Sequence, residues 1–399
     1  MKVAVIGAGF SGMLTSYLLE KEGIDVTVYE KNENVGGHCR TLISKDMYID
    51  LGANFTLGHE IKELFLELDL DYSEKFTYRN FVGENYQNVQ HIPADQVSNL
   101  LRELVQLKKL LKTYALSLDS DTYGYIHEDL LKPLDQFLKD NDLNTVCQVV
   151  APHLSSFGYG DISETQAFYA LSVFNDELIN SLIKGDKFIF SDKGMFDLIK
   201  KLSHNITDIR YSIEVKNIEV ENEKVKVETD YDSALYDKVF ITTKLPRDVI
   251  KDELYNHLMK KIDTNPYVTC AFEVDTQNLV TTYFKANFGK KNRIQFFHPT
   301  KKNGRTVIVT FAYGNVSSKL IENITEDIKK YGITIKHLIA TKQWYIFPHL
   351  NKDNLTQDYY SKLHERQKNN PINLIGSLVC EPSLSKLYTS IKHALKEMI

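Results

Sequence analysis

The sequence has few cysteines and no strong excess of charge of either sign. Its four cysteines in 399 residues are scattered and form no C-x-x-C pair, which argues against a zinc site and against a disulfide framework. We therefore expect a reducing compartment, the cytoplasm. The formal net charge is only −5, and no run of lysine and arginine is interleaved with aromatic residues. These features argue against a nucleic-acid partner.

Long apolar runs are also absent. The stretch from Lys2 to Leu19 superficially resembles a signal peptide, but three glycines interrupt it and it leads directly into charged residues 20–22. No segment elsewhere approaches 18 consecutive apolar residues, so no transmembrane helix is predicted. Internal repeats and Pro/Ser-rich linkers are missing, so the two or three domains expected for this length should be interleaved. His/Cys/Asp clusters with the spacing of metal ligands are missing too, and no metal is expected.

A dinucleotide-binding motif opens the chain. Residues 2–6 have the pattern of a short buried strand, residues 7–12 form a G-x-G-x-x-G turn, and residues 13–22 have helical spacing. In this context the first glycine permits a tight turn, the second lets backbone N–H groups approach a pyrophosphate, and the third lets helix and strand pack closely. The helix N-terminus adds partial positive charge for the phosphates. The candidate ligands are Gly7, Gly9, Phe10, Ser11 and Gly12.

An acidic residue ends the next predicted strand, residues 25–29. Glu30 can accept hydrogen bonds from the ribose hydroxyls, which favours a free ribose over a 2′-phosphate. Lys31 follows it as a further candidate ligand. The order of strand, turn, helix, strand and acid predicts a dinucleotide site, with a glycine-rich turn of another α/β protein as the weaker alternative.

A second glycine pair, Gly36-Gly37, follows the ribose acid and precedes Arg40. This arrangement resembles the GG-x-x-x-T extension of the flavin amine oxidase and phytoene desaturase superfamily. The resemblance implies FAD, with the glycine pair near its pyrophosphate and Arg40 beside a phosphate or the isoalloxazine; a surface cation is the alternative for Arg40. It further implies that residues 52–54 pass the ring and that Val215 meets the adenine; an ordinary valine of an alternating hairpin is the alternative for Val215. The remaining residues it assigns to the cofactor are Thr41, Gly52, Ala53, Asn54, Gly376 and Ser377.

The C-terminal segment resembles the part of the superfamily fold that lies under the flavin. A strand over residues 372–375, a turn and a helix are predicted there, and the helix N-terminus would stabilise negative charge on reduced flavin. The residue after Gly376 is usually acidic in the superfamily, whereas here it is Ser377, whose hydroxyl can still bond the ribityl chain. Cys380 lacks the surrounding pattern of a thioether, so non-covalent FAD is expected.

The middle of the chain predicts an interleaved fold. Residues 61–151 have helical spacing, a further helix is expected to about Ile183, and residues 266–311 alternate as strands do. We predict an α/β protein with a Rossmann-type FAD-binding domain, a mixed α/β substrate domain and a helical insertion. The FAD-binding domain takes residues 1–60, 185–245 and 370–399, the insertion takes 61–184, and the substrate domain takes 246–369.

A narrower resemblance rests on residues 156–160, 343–349 and 36–39, which are similar to the bacterial polyunsaturated fatty acid isomerases of this superfamily. In those flavoproteins hydride moves to flavin N5 and returns at another carbon. Oxidases and dehydrogenases share the WYxFPH-type segment, so it identifies a branch and not a reaction. The candidate catalytic residues are Tyr159, Trp344 and His349, and the candidate substrate-binding residues are Arg79, Tyr345 and Phe347; core packing, or solvation for Arg79, is the alternative for each.

The sequence thus predicts an FAD-dependent oxidoreductase that transfers hydride from a small, largely apolar substrate to flavin N5. One alternative is a redox-neutral isomerase of unsaturated fatty acids, and another is a non-catalytic or NAD-only nucleotide-binding protein. The composition, rich in Lys, Asn and Ile, suggests a bacterial source. The electron acceptor and the oligomeric state are not indicated.

Overall fold

The structure is a computed structural model that describes residues 1–58, 60–76, 78–175, 178–180 and 187–398. The end of the helix expected near Ile183 lies outside the described residues.

The described strands belong to two large and three small sheets. In chain order they are β1 (Lys2–Ile6), β2 (Asp25–Tyr29), β3 (Thr41–Ser44), β4 (Met47–Asp50), β5 (Tyr72–Lys75), β6 (Arg79–Val82), β7 (Asn88–Val89), β8 (Phe188–Ser191), β9 (Asp208–Arg210), β10 (Val215–Glu221), β11 (Lys224–Thr229), β12 (Ser233–Tyr236), β13 (Lys238–Ile241), β14 (Ile262–Val274), β15 (Thr281–Phe284), β16 (Ile294–Lys302), β17 (Arg305–Tyr313), β18 (Ile335–Leu350) and β19 (Ile372–Leu374).

The described α-helices pack around these sheets, and short 3₁₀ turns connect several of them. In chain order the helices are α1 (Phe10–Lys21), α2 (Glu60–Glu67), α3 (Val97–Thr113), α4 (Ala115–Leu118), α5 (Leu134–Asp140), α6 (Cys147–Phe157), α7 (Ala167–Val173), α8 (Phe196–Ser203), α9 (Glu253–Lys261), α10 (Ser318–Lys330), α11 (Tyr359–Gln367) and α12 (Leu384–Met398). The 3₁₀ turns span Ala94–Gln96, Glu128–Leu131, Lys285–Asn287 and Gly376–Leu378.

The first large sheet is parallel, with strand order β19-β13-β1-β2-β9. Its central strands are apolar and buried because both faces are covered, as parallel sheets require. Helix α1 contacts α8 and α12 on one face. The G-x-G-x-x-G turn therefore joins the central strand β1 to a helix, as predicted. The three-stranded antiparallel sheet β10-β11-β12 stands beside this sheet.

The second large sheet has seven strands in the order β18-β14-β17-β16-β15-β6-β7. All its neighbouring pairs are antiparallel except β15 and β6, which run parallel. The long strands β14 and β18 form its far edge, and helix α10 packs on it through Leu320, Ile324 and Ile328. The two large sheets come from interleaved parts of the chain, which confirms the predicted mixed α/β class. The exact domain boundaries stay predictions.

One expectation about the insertion is wrong. Residues 72–89 are not helical but contain β5, β6 and β7. Four-residue strands are too short to show a clear alternation among leucine-rich helical segments. Their partners are distant in sequence, since β5 pairs with β8 and β6 with β15. The insertion thus contains helix α2, then these strands, and then the helices α3 to α7.

Candidate functional site

A cavity of about 1080 Å³ lies between the two large sheets, outside the carboxyl ends of β1 and β2. Ligands of open α/β sheets bind at this position, and the volume is at the upper end of the roughly 300–1,000 Å³ of ordinary small-molecule sites. The predicted site residues that line it are Gly7, Gly9, Phe10, Ser11, Glu30, Lys31, Gly37, Gly52, Ala53, Asn54, Arg79, Tyr159, Val215, Trp344, Tyr345, Phe347 and Ser377. The predicted residues that are not among its described lining are Gly12, Gly36, Arg40, Thr41, His349 and Gly376.

The turn between β1 and α1 has the close contacts that a phosphate-binding loop needs. Gly7 has φ +104°, a conformation that side chains disfavour. A Cβ atom on Gly12 would lie 1.8 Å from the carbonyl oxygen of Gly7, so Gly12 is behind the cavity as the helix-packing glycine. Gly9 is the N-cap of α1, which leaves the first N–H groups of the helix available to an anion.

The second glycine pair closes onto this turn. The N–H of Gly36 donates to the carbonyl oxygen of Ala8 at 2.8 Å. Gly37 has φ +54°, and a Cβ on it would lie 2.8 Å from the Cα of Gly9. Only glycine permits this approach, so Gly37 lines the cavity beside the phosphate-binding turn while Gly36 anchors the segment behind it.

Glu30 lies at the end of β2 and is 7% exposed. Its Oε2 accepts from the N–H of Ala8 at 2.8 Å, and its Oε1 accepts from the N–H of Asn32 at 2.9 Å. The side-chain amide of Asn32 also donates to Oε1. Because a carboxylate accepts about four hydrogen bonds, two on each oxygen, the capacity that remains for a ribose hydroxyl lies on Oε2. Lys31 is exposed at the rim, and the buried Val215 lines the same end of the cavity.

Arg40 and Thr41 lie elsewhere than predicted. Arg40 is exposed, with its guanidinium 5.9 Å from the ring centroid of Phe196, which agrees with the alternative of a surface cation. The hydroxyl of Thr41 donates to Asp50 Oδ1 at 2.5 Å and accepts from the N–H of Phe196 at 3.0 Å. Burial raises the pKa of Asp50 to about 7. Thr41 and Asp50 thus bind backbone N–H groups at the start of α8. These local hydrogen bonds hold the two side chains away from the cavity.

The C-terminal turn packs against the phosphate-binding loop. Gly376 has φ +76°, and a Cβ on it would lie 2.4 Å from the hydroxyl oxygen of Ser11. Ser377 follows and lines the cavity, as do Pro382 to Leu384 at the start of α12. The N-terminal end of a 15-residue helix therefore forms part of the cavity wall, where it favours negative charge.

Residues 52–54 form the adjoining wall. The N–H of Ala53 donates to the carbonyl oxygen of His38 at 2.9 Å. A Cβ on Gly52 would lie 2.0 Å from the same oxygen, so this position also requires glycine. The segment places Asn54 in the lining between the two halves of the cavity.

Aromatic side chains form the other half of the cavity. The ring of Tyr159 stacks on Phe347 with a centroid distance of 3.9 Å, and the indole of Trp344 donates to the Thr269 hydroxyl at 3.0 Å. Phe347 has φ +52°, a conformation that is rare for a bulky residue and is common at binding sites. Tyr345 is 59% exposed and lies at the rim.

His349 packs behind this wall. The imidazole ring of His349 stacks on the ring of Phe347 with 4.4 Å between their centroids. Its Nδ1 lies 2.7 Å from the carbonyl oxygen of Phe347. Burial lowers the pKa of His349, which favours the neutral ring. His349 is not among the described cavity lining, which favours the alternative of a structural histidine; the acid–base role stays a prediction.

Arg79 on β6 brings a cation into the aromatic half. Its guanidinium carbon lies 5.6 Å from the ring centroid of Phe188 and 5.9 Å from that of Tyr283. Its Nη1 is 3.2 Å from His153 Nε2, and burial lowers the pKa of His153 well below its usual value, so this histidine is neutral. Among the described residues, no carboxylate forms an ion pair with Arg79. A half-buried cation without a counter-ion is suited to an anionic ligand.

Two further polar groups line the cavity, one on the predicted residue Tyr159 and one on Glu381, which was not predicted. The hydroxyl of Tyr159 is buried without a hydrogen-bond partner. Glu381 is 6% exposed, accepts from the N–H of Ser383 at 2.8 Å, and has a pKa that burial raises to about 7. In the sequence, only the position of Glu381 just before Pro382 and the C-terminal helix could have indicated that it lines the site. Cys380 is buried, which raises the pKa of its thiol to about 12 and makes it unreactive.

No helix among the described residues combines the length and apolarity needed to cross a bilayer. Within the same residues, no three His, Cys, Asp or Glu side chains are grouped as metal ligands.

Comparisons with known proteins agree with this geometry. The chain resembles the 4,4'-diapophytoene desaturase (4,4'-diaponeurosporene-forming) of Staphylococcus aureus (strain Newman), with 26% identity over 127 residues, 32% of this chain and 24% of that protein. The match spans about a quarter of the length of this curated relative.

Solved structures are similar over nearly the whole chain. The CLA-producing fatty acid isomerase from P. acnes has a TM-score of 0.90 at 20% identity, covering 99% of this chain and 97% of that one. The cyclohexylamine oxidase from Brevibacterium oxydans IH-35A has a TM-score of 0.75 at 16% identity, covering 100% and 98%. A redesigned putrescine oxidase has a TM-score of 0.77 at 13% identity, covering 100% and 98%. At these identities the likeness shows the fold.

The family of flavin containing amine oxidoreductases matches residues 10–336, which is most of the chain and includes the glycine pair, Arg79 and Tyr159. The phosphate-binding turn and the two-sided cavity are as expected for a flavin site. The protein belongs to the flavin containing amine oxidoreductase family.

Proposed function

We propose that the protein binds FAD non-covalently and transfers hydride from a largely apolar carboxylic acid to the flavin. The observation that carries the substrate class is Arg79, a cation with no described carboxylate partner in the aromatic half of the cavity. The proposed class of reaction is oxidoreduction, in keeping with the family.

The residues of the nucleotide half fit the dinucleotide form of flavin. Gly9 and Gly37 leave room where a pyrophosphate must approach the backbone, since a Cβ on Gly37 would already contact Gly9. Glu30 lies where a free ribose is recognised, and Val215 lines the adenine end. When bound, the flavin supplies the hydride-accepting N5.

The aromatic half of the cavity positions the substrate and excludes water from it. Tyr159, Trp344 and Phe347 exclude water from the space beside the nucleotide half, and Arg79 fixes one end of the substrate by a charge-assisted hydrogen bond. The unpartnered hydroxyl of Tyr159 is available to a polar atom of the ligand. Holding a C–H bond in a water-poor slot is the main requirement for hydride transfer, so few side-chain catalysts are needed.

A redox-neutral double-bond isomerase of unsaturated fatty acids is the second candidate. Two observations favour it. One is the overall similarity to the CLA-producing fatty acid isomerase, and the other is the guanidinium of Arg79, which can pair with the carboxylate of a fatty acid. The two candidates share the cofactor and the substrate class and differ only in whether an external electron acceptor is needed.

The first experiment is an absorbance spectrum of the purified protein, repeated after denaturation and filtration. Two visible bands that pass the filter support non-covalent flavin, and mass analysis of the filtrate distinguishes FAD from FMN. Turnover of linoleate with and without an added electron acceptor then separates oxidation from isomerisation. A colourless protein that FAD cannot reconstitute would refute the proposal.

A further inference from the structure

A second pocket of about 570 Å³ lies between the seven-stranded sheet and the short sheets β3-β4 and β5-β8, directly against the cavity. The two spaces share Asn54, Thr281 and His298 as a common wall. The hydroxyl oxygen of Thr281 lies 2.8 Å from His298 Nδ1. We call this space the outer pocket; its solvent-side residues are Lys75, Phe76, Tyr78, Phe190, Lys301 and Lys302.

The rim of the outer pocket combines lysines with aromatic rings. The ammonium of Lys75 lies 5.9 Å from the ring centroid of Phe190, and the ammonium of Lys302 lies 5.8 Å from the ring centroid of Tyr48. The ring of Phe76 also has an ammonium 5.5 Å from its centroid, that of Lys187, which lines the main cavity. Phe76 is 53% and Tyr78 is 77% exposed. Apolar rings beside cations suit a molecule that is itself both apolar and anionic.

The local charge differs in sign from that of the whole chain. Lys75, Lys301 and Lys302 line the outer pocket, opposed by Asp192 and by Asp50, whose carboxyl is buried. The chain as a whole carries −5. A positive mouth on a negative protein concentrates anions at that mouth.

The shared wall places the outer pocket next to Arg79. Thr281 on β15 pairs with Arg79 on β6 in the parallel register of these strands. A ligand that crosses the wall with its apolar end first therefore leaves its charged end at Arg79 and never moves that charge through the aromatic interior, where desolvation is costly.

We propose that the outer pocket is the access port of the cavity, where Lys75, Lys301 and Lys302 attract an anionic amphiphile before its apolar chain passes Thr281 and His298. The inference rests on the proposed function, in that the cavity accepts an apolar carboxylic acid. Burial lowers the pKa of His298 to about 4, so the wall itself is neutral near pH 7 and the lysines supply the attraction.

The test measures association rates by stopped flow, with the fluorescence of Trp344, the single tryptophan of the chain, as the reporter in the cavity wall. The probes are oleate below its micelle concentration and oleyl alcohol as its uncharged counterpart. The variant K75Q/K301Q/K302Q is compared with K319Q/K330Q/K362Q, which removes the same charge from exposed positions on α10 and α11.

The port predicts a slower association of oleate with the first variant, by about tenfold at low ionic strength, with the dissociation rate unchanged. High salt should abolish the difference, and oleyl alcohol should bind both variants alike. Equal oleate association rates for the two variants would overturn the port while leaving the proposed function intact. Absence of any oleate binding to the parent protein would overturn the proposed function and the port together.

A second variant tests the route independently of charge. Lys301→Cys modified with a polyethylene-glycol maleimide blocks the outer pocket, and Lys319→Cys with the same modification is the control. Slower association of both oleate and oleyl alcohol is expected only for the modified Lys301→Cys protein. Unchanged association in both modified proteins would show that ligands reach the cavity by another path and would overturn the port.

Discussion

Gly37 and Gly9 are in direct backbone contact, although one belongs to the second glycine pair and the other to the turn after β1. A methyl group on Gly37 would lie 2.8 Å from the Cα of Gly9. The contact draws two separate segments of the nucleotide half together at the point where a pyrophosphate would bind.

Gly37→Ala should abolish flavin retention, because relief of this contact moves the segment away from the phosphate-binding turn. Gly23→Ala is the matched control: Gly23 also has a positive φ, +74°, but no atom lies within 4 Å of its added Cβ. Both variants should lose about 1 kcal/mol of stability from the backbone conformation alone. The flavin-to-protein absorbance ratio is the measurement, and equal ratios in the two variants would contradict the role of the contact.

Arg79→Gln should weaken the equilibrium binding of oleate at least about 30-fold, since about 2 kcal/mol or more is lost when one partner of a half-buried charge pair is removed. Binding of oleyl alcohol should hardly change. Arg102→Gln on the exposed side of α3 serves as the control. The two dissociation constants are measured by titrating Trp344 fluorescence; a parallel loss of acid and alcohol binding would indicate damage to the wall and not loss of a carboxylate anchor.

Tyr159→Phe should raise the free energy of unfolding of the flavin-free protein by about 1 kcal/mol, because it removes a buried hydroxyl that has no partner. It should also lower turnover, because that hydroxyl lines the cavity. Tyr123→Phe offers a comparison, since the Tyr123 hydroxyl is likewise buried without a partner and the residue is not part of the described lining. It should stabilise the protein and leave turnover unaltered. Urea denaturation measures the stability of each variant, and steady-state kinetics measure its turnover. An equal effect of both variants on turnover would show that the Tyr159 hydroxyl has no role in the site.

Glu381→Gln should change how stability depends on pH. Burial raises the pKa of this carboxyl from 4.5 to about 7, so between these values the folded state holds a proton that the unfolded state has released. The free energy of unfolding therefore falls as pH rises through this range, by at most about 3 kcal/mol for this group. The variant lacks this term, so it should match the parent near pH 4.5 and exceed it in stability at pH 8. Urea denaturation measures the free energy of unfolding of both proteins at about pH 4.5 and at about pH 8. The same difference between variant and parent at the two pH values would refute the assignment.

The nucleotide half could be predicted because its signals are local. The turn at residues 7–12 and Glu30 lie within one β-α-β unit, where spacing along the chain determines spacing in the structure. Gly376 and Ser377 are distant in sequence, and their placement came only from the resemblance to a family.

The substrate half could be predicted only in part. Arg79 was singled out by its residue type, but its position depends on the pairing of β6 with β15, whose partners are about 200 residues apart in the chain. The segment around Trp344 shows a second limit. Strand β18 has an irregular register opposite residues 263–265, and Phe347 has a positive φ. Simple alternation would place Phe347 on the face opposite Trp344, but both residues line the cavity.

The strand order of the parallel sheet has a consequence for how the protein is made. The strand β1 leaves the ribosome first, yet its neighbour β13 and the edge strand β19 follow only much later. Until residues 372–374 have been synthesised, the apolar faces of β1 and β2 lack part of their cover, and such incomplete sheets are prone to aggregate or to recruit chaperones. Because Ser377 and the start of α12 form part of the cavity wall, a nascent chain cannot hold the cofactor firmly before residues 377–384 have been made and folded.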